Sequence, residues 1–196
     1  MENRASFFAR LEPATPPKML LRIRLAYVMA KGGHRHQVRS ECDAAGRPIR
    51  YFEHPRAAAL ILIDELDIID PEMVCAALLH DGPEDTHDLT AELIEEFWGP
   101  AVARMVMLVT KNPREGYERR LLAFGDWQVW AIKLADRLHN LRTLASVSSI
   151  RQARTRQETR ELYYPIFERL LEQAPSQHRA RLTAAVAQVH RLADES

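Results

Sequence analysis

The sequence predicts an all-α fold, a single helical bundle of about eight to ten helices formed by residues 1–196. Apolar residues recur at helical spacing along most of the chain. Helix start and stop signals separate these periodic segments, and the sequence contains no internal repeat or low-complexity linker. With 196 residues, 46% of them hydrophobic, the chain can bury a core without disulfides. We therefore expect one compact domain.

The predicted helices begin and end at local signals. Asp70-Pro71 combines an N-cap residue with proline at the first helical position. Phe97-Trp98-Gly99-Pro100 predicts the end of one helix and the start of the next. Gly32-Gly33 predicts a loop, and Pro48 to Phe52 a short extended segment. The predicted helices are 17–32, 54–67, 71–81, 89–98, 99–110, 126–145, 152–173 and 176–192.

One segment lacks helical periodicity. Residues 112–125 are polar and are interrupted by Pro113, Gly116 and Gly125. We expect this segment to form a mobile flap beside a functional site.

Charge is balanced overall but unevenly distributed. Residues 1–50 contain ten Lys or Arg and four Asp or Glu, whereas residues 51–100 contain one and thirteen. Zero net charge argues against a nucleic-acid-binding protein, which usually has a basic excess. The pattern suits an acidic metal centre surrounded by phosphate-binding cations.

Cysteine content and hydropathy predict the compartment. Cys42 and Cys75 are far apart and neither belongs to a metal-binding pair. The N-terminus has no apolar signal core, and no apolar run approaches ~20 residues. We expect a reduced, cytoplasmic protein with no membrane partner.

The segment from His80 to Asp85 concentrates metal-ligating residue types at the end of an apolar run. On a helix, His80 and Glu84 lie four residues apart on one face, and so do Asp81 and Asp85. Imidazole and carboxylate groups suit a borderline or hard divalent cation, and a nearby unligated carboxylate suits activation of water. An exposed acidic helix end explains this segment alone about equally well.

Two further segments strengthen the metal-site hypothesis. His54-Pro55 lies upstream, and a second helix from Ile132 to Arg142 buries one face while Lys133, Asp136 and Asn140 share the other. A carboxylate flanked by cations on one stripe could bind metal while its neighbours hold phosphate. A solvated helix face with an ion pair is the alternative.

The order and spacing of these segments resemble the HD-domain hydrolases of the RelA/SpoT type, in particular the stand-alone small alarmone hydrolases that include the metazoan SpoT homologues. The resemblance is strongest over residues 20–170. The matching segments are 33–39, 46–55, His80-Asp81, Glu84 to Thr86, Thr110-Lys111, 133–142, Glu158-Thr159 and 163–165.

The resemblance implies a set of metal ligands and catalytic residues. One divalent ion, usually manganese in this family, is expected on His54, His80, Asp81 and Asp136. The acidic pair that follows, Glu84 and Asp85, is expected to activate or orient the attacking water.

The resemblance also implies a nucleotide substrate. Arg39 is expected to stack on the base, since a guanidinium packs against a purine face. The expected reaction removes the 3′-diphosphate of guanosine tetra- or pentaphosphate, (p)ppGpp, and releases pyrophosphate. A homo-oligomer is compatible with the family. The other expected substrate contacts are Lys133, Arg137, Asn140 and Tyr164, with Tyr163 as the alternative to Tyr164.

Some features depart from the family pattern. Ser40 follows Arg39 where many members have Lys. Gly82-Pro83 interrupts the helix between His80-Asp81 and Glu84-Asp85. Adenosine alarmones, a nicotinamide dinucleotide phosphate (NADPH phosphatase activity) and a non-catalytic nucleotide sensor therefore remain alternatives. The other histidines, His139 included, are expected to be structural, and the three tryptophans to be core or interface anchors.

Overall fold

The computed structural model describes residues 3–195 and confirms the all-α prediction. The helices are α1 (Arg4–Leu11), α2 (Pro17–Gly33), α3 (Glu53–Leu60), α4 (Pro71–Leu79), α5 (Gly82–Asp85), α6 (Ala91–Val109), α7 (Tyr117–Phe124), α8 (Trp127–Arg142), α9 (Ser149–Glu158), α10 (Tyr164–Gln173) and α11 (Ser176–Asp194). π-Helical turns at Ile61–Glu65 and Thr159–Tyr163 follow α3 and α9, and a 3-10 turn at Leu144–Ser146 follows α8.

Two short strands form the only sheet within residues 3–195. Strand β1 (Val38–Cys42) pairs antiparallel with β2 (Pro48–Arg50). The extended segment predicted over Pro48 to Phe52 is confirmed for Pro48–Arg50, whereas Tyr51 and Phe52 form a turn and β1 was missed. The polar loop between the strands is closed by Gly46, whose φ of 74° lies in the left-handed region that favours glycine.

Helix starts were predicted better than helix continuity. Asp70 caps α4 by accepting hydrogen bonds from the backbone N–H groups of Glu72 and Met73. Gly99, with a φ of 79°, separates the two halves of α6 where two helices were predicted. The helix predicted over 152–173 is helical throughout, but its α-helical hydrogen bonding is interrupted by a π-helical turn at Thr159–Tyr163.

Two other segments differ from prediction. The helix α1 was missed; it buries Phe7, Phe8 and Leu11 against the core. The expected flap is irregular only in its first part, because residues 117–124 form α7 and bury Tyr117 and Leu121. In residues 112–125, the local signals of Pro113, Gly116 and Gly125 had outweighed these apolar contacts.

Helix α8 runs through the centre of the bundle, with α3, α4, α6, α10 and α11 packed around it. Its residues from Val129 to Leu138 are all buried. Trp98 and Trp130 are also buried, as predicted, and each indole N–H donates to a backbone carbonyl. Polar residues inside such a helix need partners, because an unpaired buried charge is costly.

Within the described part of the chain, no helix is long and apolar enough to span a membrane.

Candidate metal centre and adjoining pocket

Three neighbouring helices bring the predicted metal ligands together. His54 is the second residue of α3, His80 and Asp81 directly follow the last residue of α4, and Asp136 lies in the middle of α8. Both imidazoles and Asp136 are buried. His54 and His80 are 26 positions apart and Asp81 and Asp136 are 55 positions apart, yet all four converge on one point inside the bundle.

The donor atoms lie close enough to surround a cation. His54, His80 and Asp81 each offer one atom, and these three atoms lie within 4.8 Å of one another. Asp136 Oδ1 is 3.1 Å from His54 Nε2 and 3.7 Å from His80 Nε2. Asp81 lies 3.4 Å from His54 Nε2 through Oδ2 and 3.1 Å from His80 Nε2 through Oδ1. Two nitrogens and two carboxylates suit a divalent cation that keeps open positions.

The orientation of His80 fits metal binding. Its Nδ1 donates to the carbonyl of Ala77 at 2.8 Å, so Nε2 is the ring nitrogen that faces the two carboxylates and could bind a cation. This Nε2 is buried and makes no hydrogen bond, although Asp81 Oδ1 is near. A buried nitrogen without a hydrogen-bond partner, aimed at two carboxylates, is what a metal ligand requires.

His54 is oriented by His139, a residue that the sequence reasoning treated as structural. The two Nδ1 atoms lie 2.8 Å apart. Burial, followed by the proximity of His54, lowers the pKa of His139 to about 3, so His139 is neutral. A neutral His139 can accept the Nδ1–H of His54, which leaves the Nε2 lone pair of His54 facing the carboxylates.

The two carboxylates are held by their own partners. Asp136 accepts one hydrogen bond from the Asn140 amide at 2.6 Å and pairs with Lys133 at 2.7 Å. The Tyr51 hydroxyl donates to Asp81 Oδ2 at 2.9 Å. Burial favours the neutral acids, but adjacent Lys133 and the imidazoles outweigh it and hold the pKa of Asp136 well below its usual value. Asp136 is therefore an anion in the folded protein.

Lys133 was predicted to contact substrate, but the structure uses it to hold Asp136. Its side chain is 4% exposed, and Nζ lies 2.7 Å from Asp136 Oδ2 and 3.4 Å from the carbonyl of Val109. Lys133 is not among the residues that line the pocket. We therefore treat it as a positioning residue.

The acidic pair remains beside the metal donors despite Gly82-Pro83. A new short helix, α5, begins there, and Pro83 lies in its first turn, where its missing N–H costs no hydrogen bond. The backbone N–H of Asp85 donates to the carbonyl of Asp81 at 2.9 Å, so one helical turn joins His80-Asp81 to Glu84-Asp85. A Cβ atom at Gly82 would lie 2.8 Å from Leu89, so close packing requires glycine.

The two members of the pair have different surroundings. Glu84 lines the pocket and accepts a hydrogen bond from the backbone N–H of Lys111 at 3.1 Å. Burial, assisted by the charge of Asp81, raises the pKa of Asp85 above its ordinary value. A carboxylate with a raised pKa is a better proton acceptor.

A pocket of about 660 Å³ adjoins the metal donors. Tyr51 and Asn140, which hydrogen-bond to Asp81 and Asp136, form its inner wall. Arg39 lines it from β1, held by Glu41 at 3.0 Å and by the Thr143 hydroxyl at 3.0 Å. The remaining lining residues are Val38, Ser40, Glu84, Lys111, Arg114, Arg137, Leu144, Val147, Ser148, Ile150, Arg151, Arg154, Thr155 and Glu158.

The structure does not bring Tyr164 to this pocket. Its hydroxyl donates to Asp194 at 3.0 Å, and its ring packs on His190 of α11. Tyr163, the alternative, is fully buried, and the Arg137 guanidinium lies over its ring at 4.2 Å. The π-helical turn at Thr159–Tyr163 rotates these two residues, so we replace Tyr164 by Tyr163 in the candidate set.

The sequence reasoning also missed supporting residues. Glu158 accepts hydrogen bonds from Lys111 at 2.8 Å and Arg137 at 3.1 Å and joins α9 to the inner pocket. Tyr51 contacts Asp81, and His139 contacts His54. Tyr51 and Glu158 both belong to segments that resemble the family, but the sequence analysis assigned neither of them a role.

A helical bundle in which two His and two Asp side chains cluster, three of them buried, defines the structural class. The HD domain family model matches residues 26–171, and the chain belongs to this family.

Curated relatives are similar to most of this chain. The Escherichia coli K12 bifunctional (p)ppGpp synthase/hydrolase SpoT is 37% identical to it over 167 positions, which cover 79% of this chain and 22% of SpoT. The Brucella melitensis GTP pyrophosphokinase rsh is 37% identical over 157 positions, covering 74% of this chain and 20% of the relative. The chain thus spans about a fifth of the length of these relatives.

A solved structure matches over a larger share of both chains' lengths. It is described as a metazoan ortholog of SpoT that hydrolyzes ppGpp and plays a role in starvation responses. The match has a TM-score of 0.68 and 28% identity, and it covers 91% of this chain and 97% of that chain.

Proposed function

We propose that this protein is a metal-dependent pyrophosphohydrolase that removes the 3′-diphosphate of (p)ppGpp. The observation that supports this most strongly is the convergence of His54, His80, Asp81 and Asp136 at the inner end of a cation-lined pocket. The relatives named for ppGpp synthesis or hydrolysis and the ppGpp-hydrolysing structural neighbour support the substrate class.

The metal ligands in this proposal are His54, His80, Asp81 and Asp136, with Mn²⁺ as the expected ion. Bound there, a divalent cation supplies Lewis-acid activation of the phosphate and of water. The buried Nε2 of His80 and the charged state of Asp136 fit this use.

Glu84 and Asp85 are the proposed water-orienting and proton-accepting residues. Both follow the metal-binding Asp81 within one turn, and Glu84 is exposed to the pocket. The raised pKa of Asp85 suits proton acceptance, while the backbone of Lys111 fixes the Glu84 carboxylate. The two carboxylates can therefore share the tasks of orienting water and removing its proton.

The substrate contacts follow from the pocket wall. Arg39 is held in place by Glu41 and presents its guanidinium for stacking on a base. Arg137 and Asn140 line the pocket next to the proposed metal ligands, where charge would develop on the phosphoryl oxygens and on the departing ribose 3′-oxygen as water attacks phosphorus. Tyr163 lies beneath Arg137 and fixes its position.

A product assay with purified protein and Mn²⁺ tests the function. We expect guanosine 5′-diphosphate 3′-diphosphate to yield pyrophosphate and GDP. The matched adenosine alarmone and NADPH are run in parallel, because they represent the two alternative substrates. Faster turnover of either one would overturn the guanosine assignment while leaving the metal centre intact. Tight nucleotide binding without turnover of any of the three would show a sensor instead.

A further inference from the structure

His34 is a buried histidine beside the site, directly after the last residue of α2. The residue is 1% exposed. Its Nδ1 lies 2.7 Å from the Oε1 of Gln37, whereas its Nε2 is buried and has no hydrogen-bond partner within residues 3–195. An apolar side chain would avoid burying an unpaired nitrogen, so core packing alone does not explain a histidine here.

The amide of Gln37 fixes the direction of the hydrogen bond with His34. Its Nε2 donates to the backbone carbonyl of Asp85 at 2.5 Å, so Oε1 is the amide atom that faces His34. Because an amide oxygen only accepts, the Nδ1 of His34 donates. Two hydrogen bonds in series therefore run from His34 through Gln37 to Asp85.

The carbonyl of Asp85 gains a partner that α5 cannot give it. Asp85 is the last residue of this four-residue helix, and the chain leaves the helix in an extended conformation at Thr86. The last carbonyls of a helix have no intrahelical partner, and a single helical turn is unstable by itself. Gln37 therefore supplies a tertiary anchor for the turn that carries Glu84 and Asp85.

His34 also contacts the beginning of this segment through Tyr51. The two rings stack with their centroids 4.8 Å apart and an interplanar angle of 27°. The Tyr51 hydroxyl donates to Asp81 at 2.9 Å, and the Tyr51 backbone N–H donates to the carbonyl of Gln37 at 3.0 Å. His34, Gln37 and Tyr51 thus support both ends of the segment 81–85.

We propose that His34 is a positioning residue, which acts through Gln37 to hold Glu84 and Asp85 in their working positions beside the proposed metal ligands. This inference rests on the proposed function, in which the acidic pair orients water and accepts its proton. A displacement of about 1 Å can lower turnover by ~10²-fold, so an anchor on this turn affects kcat. Neither His34 nor Gln37 lines the pocket, so substrate affinity does not depend on them.

Two substitutions of similar size test the hydrogen bond from His34. His34→Asn retains an N–H donor near the position of Nδ1, whereas His34→Leu has no donor. We expect His34→Leu to lower kcat by ~10- to 100-fold with KM within about two-fold, and His34→Asn to keep kcat within about three-fold. Steady-state kinetics with Mn²⁺ use the substrate that the wild-type protein turns over fastest. Equal losses of kcat in the two variants, or a rise in KM at unchanged kcat, would overturn the assignment.

Substitution of Gln37 tests the route. Gln37→Met alters a half-buried side chain and removes both hydrogen bonds, so it should lower kcat at least as much as His34→Leu, even if a His34 variant fails to fold. The double variant should be no slower than Gln37→Met alone, because His34 acts through Gln37. Additive losses would contradict this route.

His36→Leu is the matched control. His36 is exposed, does not line the pocket, and its side chain makes no hydrogen bond or ion pair within the described part of the chain. We expect this variant to leave kcat and KM unchanged. The same loss of kcat as in His34→Leu would overturn the assignment.

Backbone amide exchange distinguishes failure of this inference from failure of the proposed function. Two backbone N–H groups close the α5 turn, each on the carbonyl four residues earlier: Asp85 and Thr86. Hydrogen–deuterium exchange of residues 82–86, measured by mass spectrometry without substrate, should be faster in Gln37→Met and His34→Leu than in the wild-type protein and His34→Asn. That result would support the anchor even if no alarmone were hydrolysed. Equal exchange in all four proteins would overturn the anchor even if ppGpp were hydrolysed.

Discussion

The inner and outer ends of the pocket use charge in opposite ways. At the inner end, Asp136 is 4% exposed and is held by Lys133 and Asn140. At the outer end, three pocket-lining arginines are exposed, and their side chains make no ion pair within the described chain: Arg114, Arg151 and Arg154. Burial explains the difference, since an unpaired charge is tolerated in water but not in the core. Substitutions at the inner end should therefore affect both folding and chemistry, and those at the outer end only binding.

The largest effect is expected at Asp136. Asp136→Ala should abolish metal binding and hydrolysis and lower the free energy of unfolding by about 3–5 kcal/mol, because Lys133 becomes an unpaired buried charge. Elemental analysis and urea unfolding measure the two effects. The double variant Lys133→Met/Asp136→Asn should recover most of the stability without recovering metal or activity. Normal metal content in folded Asp136→Ala protein would refute the ligand assignment.

The acidic pair should affect turnover alone. Glu84→Gln and Asp85→Asn are each expected to lower kcat by ~10²-fold or more, since a positioned proton acceptor is lost. Metal content and nucleotide affinity should stay nearly unchanged. Steady-state kinetics and calorimetry on the same preparations check this separation. If both variants turned over within a few-fold of the wild-type protein, neither carboxylate would be catalytic.

Substitutions of His139 test whether its hydrogen bond with His54 strengthens metal binding. His139→Phe should weaken divalent-metal affinity by about 10- to 100-fold, because the Nδ1–H of His54 loses its acceptor. His139→Gln offers an amide oxygen and should retain most of the affinity. Metal titration monitored by calorimetry compares the two variants. Equal losses in Phe and Gln variants would mean that His139 acts through packing rather than through the hydrogen bond.

Substitution of Arg39, the pocket residue expected to stack on the base, should have a smaller effect, on KM. Arg39→Ala is expected to raise KM by ~10-fold, about one lost stacking interaction, with little change in kcat. Glu41→Gln should raise KM less, because it loosens Arg39 without removing it. Steady-state kinetics with the preferred alarmone measure both variants. A drop in kcat with unchanged KM for Arg39→Ala would exclude base stacking as its role.

The smallest effect concerns Glu158, between the two ends of the pocket. Burial works to raise its pKa, but Arg137 and Lys111 outweigh burial and lower the pKa below 4.5. The ion pairs therefore stabilise the fold above about pH 4.5, and this contribution disappears as pH falls through the lower folded-state pKa. Glu158→Gln should cost about 1 kcal/mol at pH 7 and progressively less towards pH 3. Urea unfolding across this range should show the two curves converging; a constant difference would contradict the pKa shift.

Sequence patterns predicted the parts of the site that depend on local order. His80, Asp81, Glu84 and Asp85 belong to one short segment, and the i to i+4 hydrogen bond from Asp85 to Asp81 preserves their spacing. The resemblance to a family singled out His54 and Asp136, which no local pattern connects to that segment. Packing of α3, α4 and α8 brings all of them together.

Other features depended on tertiary contacts. Lys133 has the residue type of a phosphate ligand, yet its place inside α8 next to Asp136 makes it a buried partner of that carboxylate. The choice between Tyr163 and Tyr164 depended on a π-helical turn, which rotates one ring under Arg137 and the other towards α11.

The sequence by itself determined the helical class, because apolar periodicity and caps such as Asp70 act within a few residues. It also determined the residue types of the proposed metal centre, since imidazole and carboxylate groups are what a divalent cation binds. Only the tertiary structure decided which charges are paired and which face solvent. Glu158 reaches Lys111 across 47 positions, whereas Arg151 and Arg154 remain exposed on the same helix. Burial and long-range contact set these outcomes, and neither can be deduced from neighbouring residues in the chain.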